Sequence, residues 1–205
     1  MTALAKYSMS FTTGGLFCQE SEKVALLYLE EMNWDAVREK TLKQGLLQTR
    51  TQSSATRIYR EISARLKTLT DDALESVARG SSQERANILW LAVCCRYRFI
   101  QEFAVEVIRE RFMTLRYDVS YQDFDAFFNA KADWHEDLDA ITPMTRNKLR
   151  QNLFRMLRDA ELISASNSIQ PAVLSPHVEE LVSQKGIDMI RIFPVLGFRS
   201  SKKAQ

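Results

Sequence analysis

The sequence is poor in the residues that usually build catalytic or metal sites. It contains three cysteines and two histidines in 205 residues. Cys94 and Cys95 are adjacent and cannot easily bond to each other, and neither His135 nor His177 stands at metal-ligand spacing from a cysteine or from the other histidine. We therefore expect no disulfide framework, no zinc site, no cofactor, and a reducing, cytoplasmic compartment.

Long apolar runs are also missing. The longest, Ile88 to Cys95, is bounded by Arg85 and Arg96 and is far shorter than the roughly 20 residues that span a bilayer. The first residues lack the apolar core of a signal peptide. We expect neither membrane insertion nor export.

Motifs of enzymes are scarce as well. The pair Gly14-Gly15 lacks the Gly-Lys-Ser/Thr ending of a phosphate-binding loop, so a tight turn is the better interpretation. No nucleophile-base pair or cofactor fingerprint is evident, and the acids between Asp123 and Asp139 show no calcium-loop order. We therefore expect a protein that is not an enzyme.

The chain has no strong excess of either charge, since its formal net charge is +2. The charge is nevertheless segregated along the sequence. From Arg38 to Lys67 there are eight basic residues against Glu39 and Glu61, and from Pro143 to Arg158 there are five basic residues and no acid. Any nucleic-acid contact must therefore depend on these local clusters.

The C-terminal cluster lies on a predicted helix that begins at Pro143, where Thr142 is a suitable N-cap. Helical spacing divides its residues between two opposite sides. One side is apolar and consists of Leu149, Leu153, Met156, Leu157 and Ala160. The other is polar and basic and consists of Asn147, Lys148, Gln151, Arg155 and Arg158.

Two short strand-compatible runs follow this helix, between Leu162 and Val173, around a turn rich in serine and asparagine. A basic helix followed by a β-hairpin is typical of a winged helix, with residues 164–170 as the wing. An amphipathic surface helix whose solvated side happens to be basic explains the same pattern equally well.

A second basic helix is predicted over Ser53 to Lys67, after two short helices and Gly45 as a helix stop. This order is typical of a helix-turn-helix element, although an ordinary three-helix bundle with a solvated basic side is its alternative. Between the two basic regions, Ser81 and Glu84 form a capping box for one long helix reaching about Tyr117.

The predicted fold is mostly α: an N-terminal helix-turn-helix-like region over residues 1–80, a long central helix over 81–117, a C-terminal winged-helix-like region with a short β-hairpin over 118–199, and a flexible tail over 200–205. Phosphate contacts are expected on both basic helices, and Asn147 and Gln151 are the expected base readers because amides pair with adenine edges. The full set of expected DNA-binding residues is Arg50, Ser53, Arg57, Arg60, Lys67, Arg146, Asn147, Lys148, Gln151, Arg155 and Arg158.

Four stretches are more distinctive than any helix pattern: Tyr7 to Phe17 with Glu20-Ser21, Leu47 to Thr51 with Ser53-Ser54 and Arg57, Thr145 to Leu149, and Leu157 to Ile163. In them the chain resembles the BrxA family of bacterial BREX phage-defence systems, from Tyr7 to about Phe193. The resemblance implies a small, non-enzymatic component that binds double-stranded DNA and works beside other BREX proteins, among them a methyltransferase, a phosphatase-like protein and ATPases.

The resemblance transfers no catalytic motif, so the expected DNA contacts come from helix geometry alone. Two other functions remain open at this point. One is a protein-interaction scaffold whose basic faces meet acidic partners, and the other is a helical RNA-binding module.

Overall fold

The structure, a computed structural model, describes residues 6–196, and this part of the chain is mostly helical, as the sequence predicts. The α-helices are α1 (Cys18–Glu31), α2 (Trp34–Lys43), α3 (Gln52–Leu66), α4 (Asp71–Arg79), α5 (Ser82–Arg96), α6 (Arg98–Phe103), α7 (Glu110–Met113), α8 (Tyr121–Ala132), α9 (Glu136–Asp139), α10 (Pro143–Asp159) and α11 (Pro176–Gln184). A π-helical segment (Ala104–Arg109) joins α6 to α7, and a 3₁₀-helix (Ile187–Ile192) follows α11.

Side-chain caps explain where most of these helices begin. The caps predicted for α5 and α10 are confirmed, and α4, α8 and α11 begin in the same way, because each cap side chain accepts a hydrogen bond from a backbone N–H in the first turn. These capping residues are Thr70, Ser81, Ser120, Thr142 and Ser175. Helix α3 begins slightly earlier than predicted, because its N-cap is Thr51, whose hydroxyl accepts from the Ser54 N–H.

The long central helix predicted over residues 81–117 is not continuous. Helix α5 ends at Arg96, and Tyr97 is extended, with φ −124° and ψ 93°. The side chain of Tyr97 is buried, and its hydroxyl donates to Glu61 Oε1 at 2.5 Å. Tyr97 therefore makes this tertiary contact at the position where the helix is interrupted, between α5 and α6. Helical periodicity in the sequence does not predict such a contact.

The β-hairpin predicted after α10 does not form strands within residues 6–196. Isolated antiparallel bridges pair Ile163 with Ile169 and Asp118 with Ser168. Ser164 Oγ accepts from the Ser168 N–H at 3.1 Å, so a serine side chain takes part in the turn. The runs are too short to extend the pairing, and Pro171 lacks the N–H that a longer ladder needs.

An irregular segment, residues 7–17 and hereafter the linking segment, connects the N-terminal helices to α10. Asn152 Nδ2 donates to the Phe11 carbonyl at 3.0 Å, and the Leu16 N–H donates to Asp159 Oδ2 at 3.0 Å. From α3, Arg65 Nη1 donates to the Gly15 carbonyl at 2.8 Å. The linking segment therefore ties the C-terminal parts of α3 and α10 to the same few residues.

The core beneath α6 and α8 is aromatic. Phe99 is fully buried and lies within 5.1–5.9 Å, centroid to centroid, of Phe124, Phe127 and Phe128 on α8. This cluster holds α8 in place as the support of α10. In the N-terminal half, α1 packs against α2, α3 and α4. The helix-turn-helix and winged-helix assignments and the domain limits stay predictions, and the tail at 200–205 lies outside the described residues.

Candidate nucleic-acid interface

Helix α3 presents a row of basic residues to solvent. Arg57 and Arg60 are exposed, and so are Arg50 and Ser53 at its N-terminal end and Lys67 at its C-terminal end. In the described part of the chain, no carboxylate oxygen lies within 4.0 Å of the cationic groups of Arg50, Arg57 or Arg60. Lys67 Nζ lies 5.4 Å from the centroid of the Trp34 ring. Arg50, Arg57, Arg60 and Lys67 together are called the α3 basic face.

The opposite side of α3 holds this face in position. Ala55, Tyr59, Ile62 and Leu66 are buried at helical spacing. The Tyr59 hydroxyl donates to the Trp34 carbonyl at 3.0 Å, and burial raises the pKa of Tyr59 to about 12. Because these side chains anchor α3 in the core, the helix determines where the exposed arginines lie.

A buried ion pair fixes the C-terminal half of α3. Arg65 is 2% exposed, and its Nε donates to Glu61 Oε1 at 2.8 Å. The same carboxylate accepts from Tyr97, while Arg65 lies against the rings of Phe17 and Tyr97. Arg65 is one of the eight basic residues between Arg38 and Lys67, but it is buried and cannot contact a ligand.

Helix α10 presents a more polar surface. Asn147, Lys148, Gln151 and Arg155 are exposed, and they form what is called the α10 polar face. Arg155 Nε lies 4.0 Å from Asp159 Oδ2, so its charge is partly balanced. Lys148 has no carboxylate within 4.0 Å among residues 6–196.

Two other basic residues of α10 are engaged with α8. Arg146 Nε donates to Asp125 Oδ1 at 3.0 Å, and Arg150 contacts the second oxygen of the same carboxylate. Each guanidinium also lies over an aromatic ring, Arg146 over Phe128 at 4.4 Å and Arg150 over Tyr121 at 4.8 Å. These stacked ion pairs align α10 on α8, and they leave Arg146 less free to reach DNA than its place in the sequence suggested.

Arg158, predicted as a phosphate contact, instead holds the turn that follows α10. Its Nη1 donates to Asn167 Oδ1 at 2.8 Å. Asn167 has a left-handed backbone, with φ 62°, a conformation that asparagine tolerates better than most residues. The contact fixes the turn at residues 164–167 relative to the helix.

Sequence reasoning missed the residues that engage these cations. Asp125 lies 21 residues from Arg146 along the chain, and no local pattern joins them. Asn167 was assigned only to the turn. The predicted residues fall into two groups, one on α3 and one on α10, which the linking segment ties together through Gly15 and Leu16. This arrangement places exposed cations on α3 and exposed amides on α10.

Other kinds of site find little support in the described residues. Between residues 6 and 196, no group of three or more His, Cys, Asp or Glu side chains is placed to hold a metal ion. In the same range, no helix combines the length and the apolar composition needed to cross a membrane.

Comparison with known proteins adds the family. The BrxA family model matches residues 5–186. The chain is 23% identical over 175 residues to the BREX protein BrxA of Escherichia coli O9:H4 (strain HS), covering 84% of this chain and 82% of that protein. It is 27% identical over 154 residues to the BREX protein BrxA of Bacillus cereus (strain H3081.97), covering 75% and 77%.

A solved structure shares the fold. The crystal structure of an uncharacterized protein from Magnetospirillum magneticum superposes with a TM-score of 0.80 at 22% identity, covering 93% of this chain and all of that one. At this identity the likeness shows the fold alone. Because the family model spans nearly the whole chain, the chain belongs to the BrxA family.

Proposed function

We propose that this protein is a non-enzymatic, cytoplasmic component of a BREX phage-defence system that binds duplex DNA. The α3 basic face contacts phosphates, and the α10 polar face lies near the base edges. The proposal rests mainly on the exposure of Arg50, Arg57 and Arg60 and on the lack of carboxylate partners for them among the described residues. They are exposed in one helical region, and no carboxylate among the described residues lies within 4.0 Å of them.

The electrostatics of α3 favour a polyanion. Guanidinium groups that are already paired must give up a partner to bind phosphate, whereas unpaired ones exchange only water and counterions. Binding through such groups releases cations condensed on DNA, so its affinity falls steeply with salt concentration. Because the net charge of the protein is only +2, the attraction between DNA and the protein depends on the local cluster of cations on α3 and not on the charge of the whole surface.

The order of elements in the C-terminal half supports the same proposal. The α6–α7 helix is followed by the bridging residue Asp118, then by α8 and α10, and then by the bridge between Ile163 and Ile169. Helix, strand, helix, helix and a two-stranded wing follow one another in this order in a winged helix. We interpret the isolated bridges as a minimal version of its sheet, in which α10 is the recognition helix.

Gln151 and Asn147 are the base readers in this proposal. Gln151 is exposed, and its side-chain amide makes no hydrogen bond within the described residues. Asn147 Oδ1 accepts from Arg150 Nη2 at 3.0 Å, which orients the amide. Arg155 and Lys148 then approach the backbone on either side.

Charge reversal on α3 tests the proposal. Affinity for a random-sequence DNA duplex is measured by fluorescence anisotropy across a salt series, for the unmodified protein and for the double variant Arg57→Glu with Arg60→Glu. We expect affinity to fall at low salt. The slope of log affinity against log salt should decrease by about 0.9 for each phosphate that the variant no longer neutralises.

The matched control is Arg96→Glu with Arg191→Glu, which changes the net charge equally at two exposed residues outside both faces. Equal loss of DNA affinity in the two double variants would mean that overall charge drives binding, and unchanged affinity in the α3 variant would refute the assignment.

A second experiment uses an RNA duplex of equal length as a competitor of the DNA duplex. RNA that displaces DNA at lower concentration would favour the RNA-binding alternative, and no DNA binding at low salt would favour the scaffold.

A further inference from the structure

A groove of about 420 Å³ lies between α8, α9 and the beginning of α10, beside the α10 polar face. Its apolar lining is formed by Phe128, Ala132, Leu138, Ile141 and Pro143. Asn147, one of the two proposed base readers, also lines the groove, but the DNA-binding proposal uses none of its apolar residues. A groove with an apolar floor and charged edges is the usual form of a site for a peptide segment.

Two large apolar side chains next to the groove are exposed. Trp134 is 76% exposed and follows closely on Ala132, which lines the groove. Met144 is 83% exposed and follows directly on Pro143, which also lines it. Tryptophan is among the residues most enriched at the energetic centres of protein interfaces, and methionine adapts to irregular partners. The apolar floor is therefore continued by side chains that a partner can reach.

The charges around the groove indicate what kind of partner fits. Asp133, Glu136 and Asp139 are exposed, and no cationic group in the described part of the chain lies within 4.0 Å of their carboxylates. The two guanidinium groups on the opposite wall, those of Arg146 and Arg150, already share the Asp125 carboxylate. Of the acids, Asp139 and Asp125 line the groove opposite these two arginines, so the charges of the lining balance. Asp133 and Glu136 lie within two residues of the lining residues Ala132 and Leu138 and make the surroundings of the groove acidic, which disfavours DNA and favours a basic partner.

We propose that this groove docks a basic segment of another protein. The segment places apolar side chains on the floor beside Trp134 and directs lysine or arginine toward Asp133, Glu136 and Asp139. Charge complementarity selects this occupant over DNA, whose phosphates meet the acidic edge. The groove shares Asn147 with the α10 polar face, whereas its apolar floor and the acids Asp133, Glu136 and Asp139 lie outside both DNA-binding faces.

A synthetic peptide provides the test. The probe is a fluorescently labelled amphipathic helical peptide composed of leucine and arginine, and the comparison peptide has glutamate in place of every arginine. Binding to the purified full-length chain is measured by fluorescence anisotropy at physiological salt. We expect the leucine-arginine peptide to bind and the leucine-glutamate peptide not to bind.

Three variants locate the site. Trp134→Ala should weaken binding of the leucine-arginine peptide by about tenfold or more. Glu136→Lys with Asp139→Lys should weaken it similarly. The control Glu110→Lys with Glu180→Lys reverses two exposed acids outside the groove and should change little.

Other results would overturn the inference. Equal weakening in the groove and control variants would mean attraction to acidic charge anywhere, and no peptide binding at all would leave the groove without this role. Reduced DNA affinity in Trp134→Ala would assign the groove to the DNA surface. Self-association in sedimentation velocity that Trp134→Ala abolishes would make a second copy the occupant. Because the peptide assay contains no DNA, the result of that assay is valid whether or not the protein binds DNA.

Discussion

The polar and basic residues of α10 differ in whether their side chains are exposed or already bound to other residues of the protein. Lys148 and Gln151 are exposed, and no described side chain engages either of them. Arg146, Arg150 and Arg158 contact Asp125 or Asn167 instead. Freedom of the side chain, rather than residue type, therefore decides which positions on this helix are expected to affect binding directly.

Substituting the two free residues should have different effects on DNA binding. In the proposed complex Lys148 contacts a phosphate, so we expect Lys148→Ala to weaken binding to every sequence and to make the salt slope smaller by about 0.9. Gln151 is proposed to contact a base, so Gln151→Ala should leave the slope unchanged and reduce discrimination between a selected sequence and random DNA. Competition titrations at two salt concentrations separate these effects. If Gln151→Ala lowered the slope and left discrimination unchanged, as expected for Lys148→Ala, the assignment of Gln151 as a base reader would be wrong.

Two glycines with left-handed backbones allow a prediction about stability. Gly14 has φ +58°, and a Cβ there would lie 2.2 Å from Phe17 Cζ, whereas Gly45 has φ +63° and nothing within 4 Å. Gly45→Ala should lower the free energy of unfolding by about 1–2 kcal/mol through backbone strain alone. Gly14→Ala adds displacement of the Phe17 ring and should cost about 2–4 kcal/mol.

Urea denaturation of the two glycine variants checks this comparison. The difference between them isolates the packing of Phe17 against Arg65 from the strain that both share. If both variants lost the same free energy of unfolding, the Phe17 ring would be able to move away from a Cβ at residue 14 without loss of stability.

At the scale of elements, the start of α8 is stabilised by an ionised carboxylate. Burial raises the pKa of Asp123, but hydrogen bonds from the backbone and hydroxyl of Ser120, together with Arg111, outweigh it and hold this pKa below its ordinary value. A group with a lowered pKa in the folded state stabilises the protein above its unfolded pKa of about 3.9. That contribution is lost as the pH falls through the folded value.

Asp123→Asn should therefore lower the free energy of unfolding at pH 7 by about 1–2 kcal/mol. The gap between variant and unmodified protein should narrow as the pH falls below about 4. Urea denaturation at several pH values measures it. The control is Glu39→Gln: Lys43 lowers the pKa of this carboxyl too, but it is fully exposed, and we expect no measurable change. A gap that is constant with pH would remove the ionised carboxylate from the explanation.

At the scale of the whole molecule, the linking segment contacts both halves of the chain, and we expect it to make their unfolding cooperative. Phe11 is fully buried, with its ring centroid 5.3 Å from that of Tyr97, and its carbonyl accepts from Asn152 on α10. The same segment receives Arg65 from α3 at Gly15. Unfolding of either basic helix therefore disrupts contacts of the other.

Phe11→Ala should lower the free energy of unfolding by about 3–5 kcal/mol, because it removes a large buried side chain. We expect this destabilisation to appear in one cooperative transition when circular dichroism and tryptophan fluorescence are followed together. Thr12→Ala, at an exposed neighbour in the same segment, is the control and should change stability little. Two separate transitions in the unmodified protein would contradict the proposed coupling.

Much of the helical framework is predictable from local sequence. Thr70, Ser81, Ser120, Thr142 and Ser175 cap the helices that their sequence contexts indicate. A cap and the N–H groups it satisfies lie within three residues of each other, so the information is contained in a short stretch. The amphipathic sides of α3 and α10 are predictable for the same reason, since helical spacing relates residues three and four apart.

The sequence by itself therefore determined the mostly helical class, the main helix starts and the side of each basic helix that faces solvent. Only the tertiary structure decided that α5 ends at Arg96 and that the expected hairpin is reduced to isolated bridges. It also decided that Arg146 and Arg158 contact other side chains, whereas no carboxylate among residues 6–196 lies within 4.0 Å of Arg57 or Arg60. The physical reason is range: these outcomes depend on partners distant in the chain, such as Glu61 for Tyr97 and Asp125 for Arg146, and no local periodicity encodes such contacts.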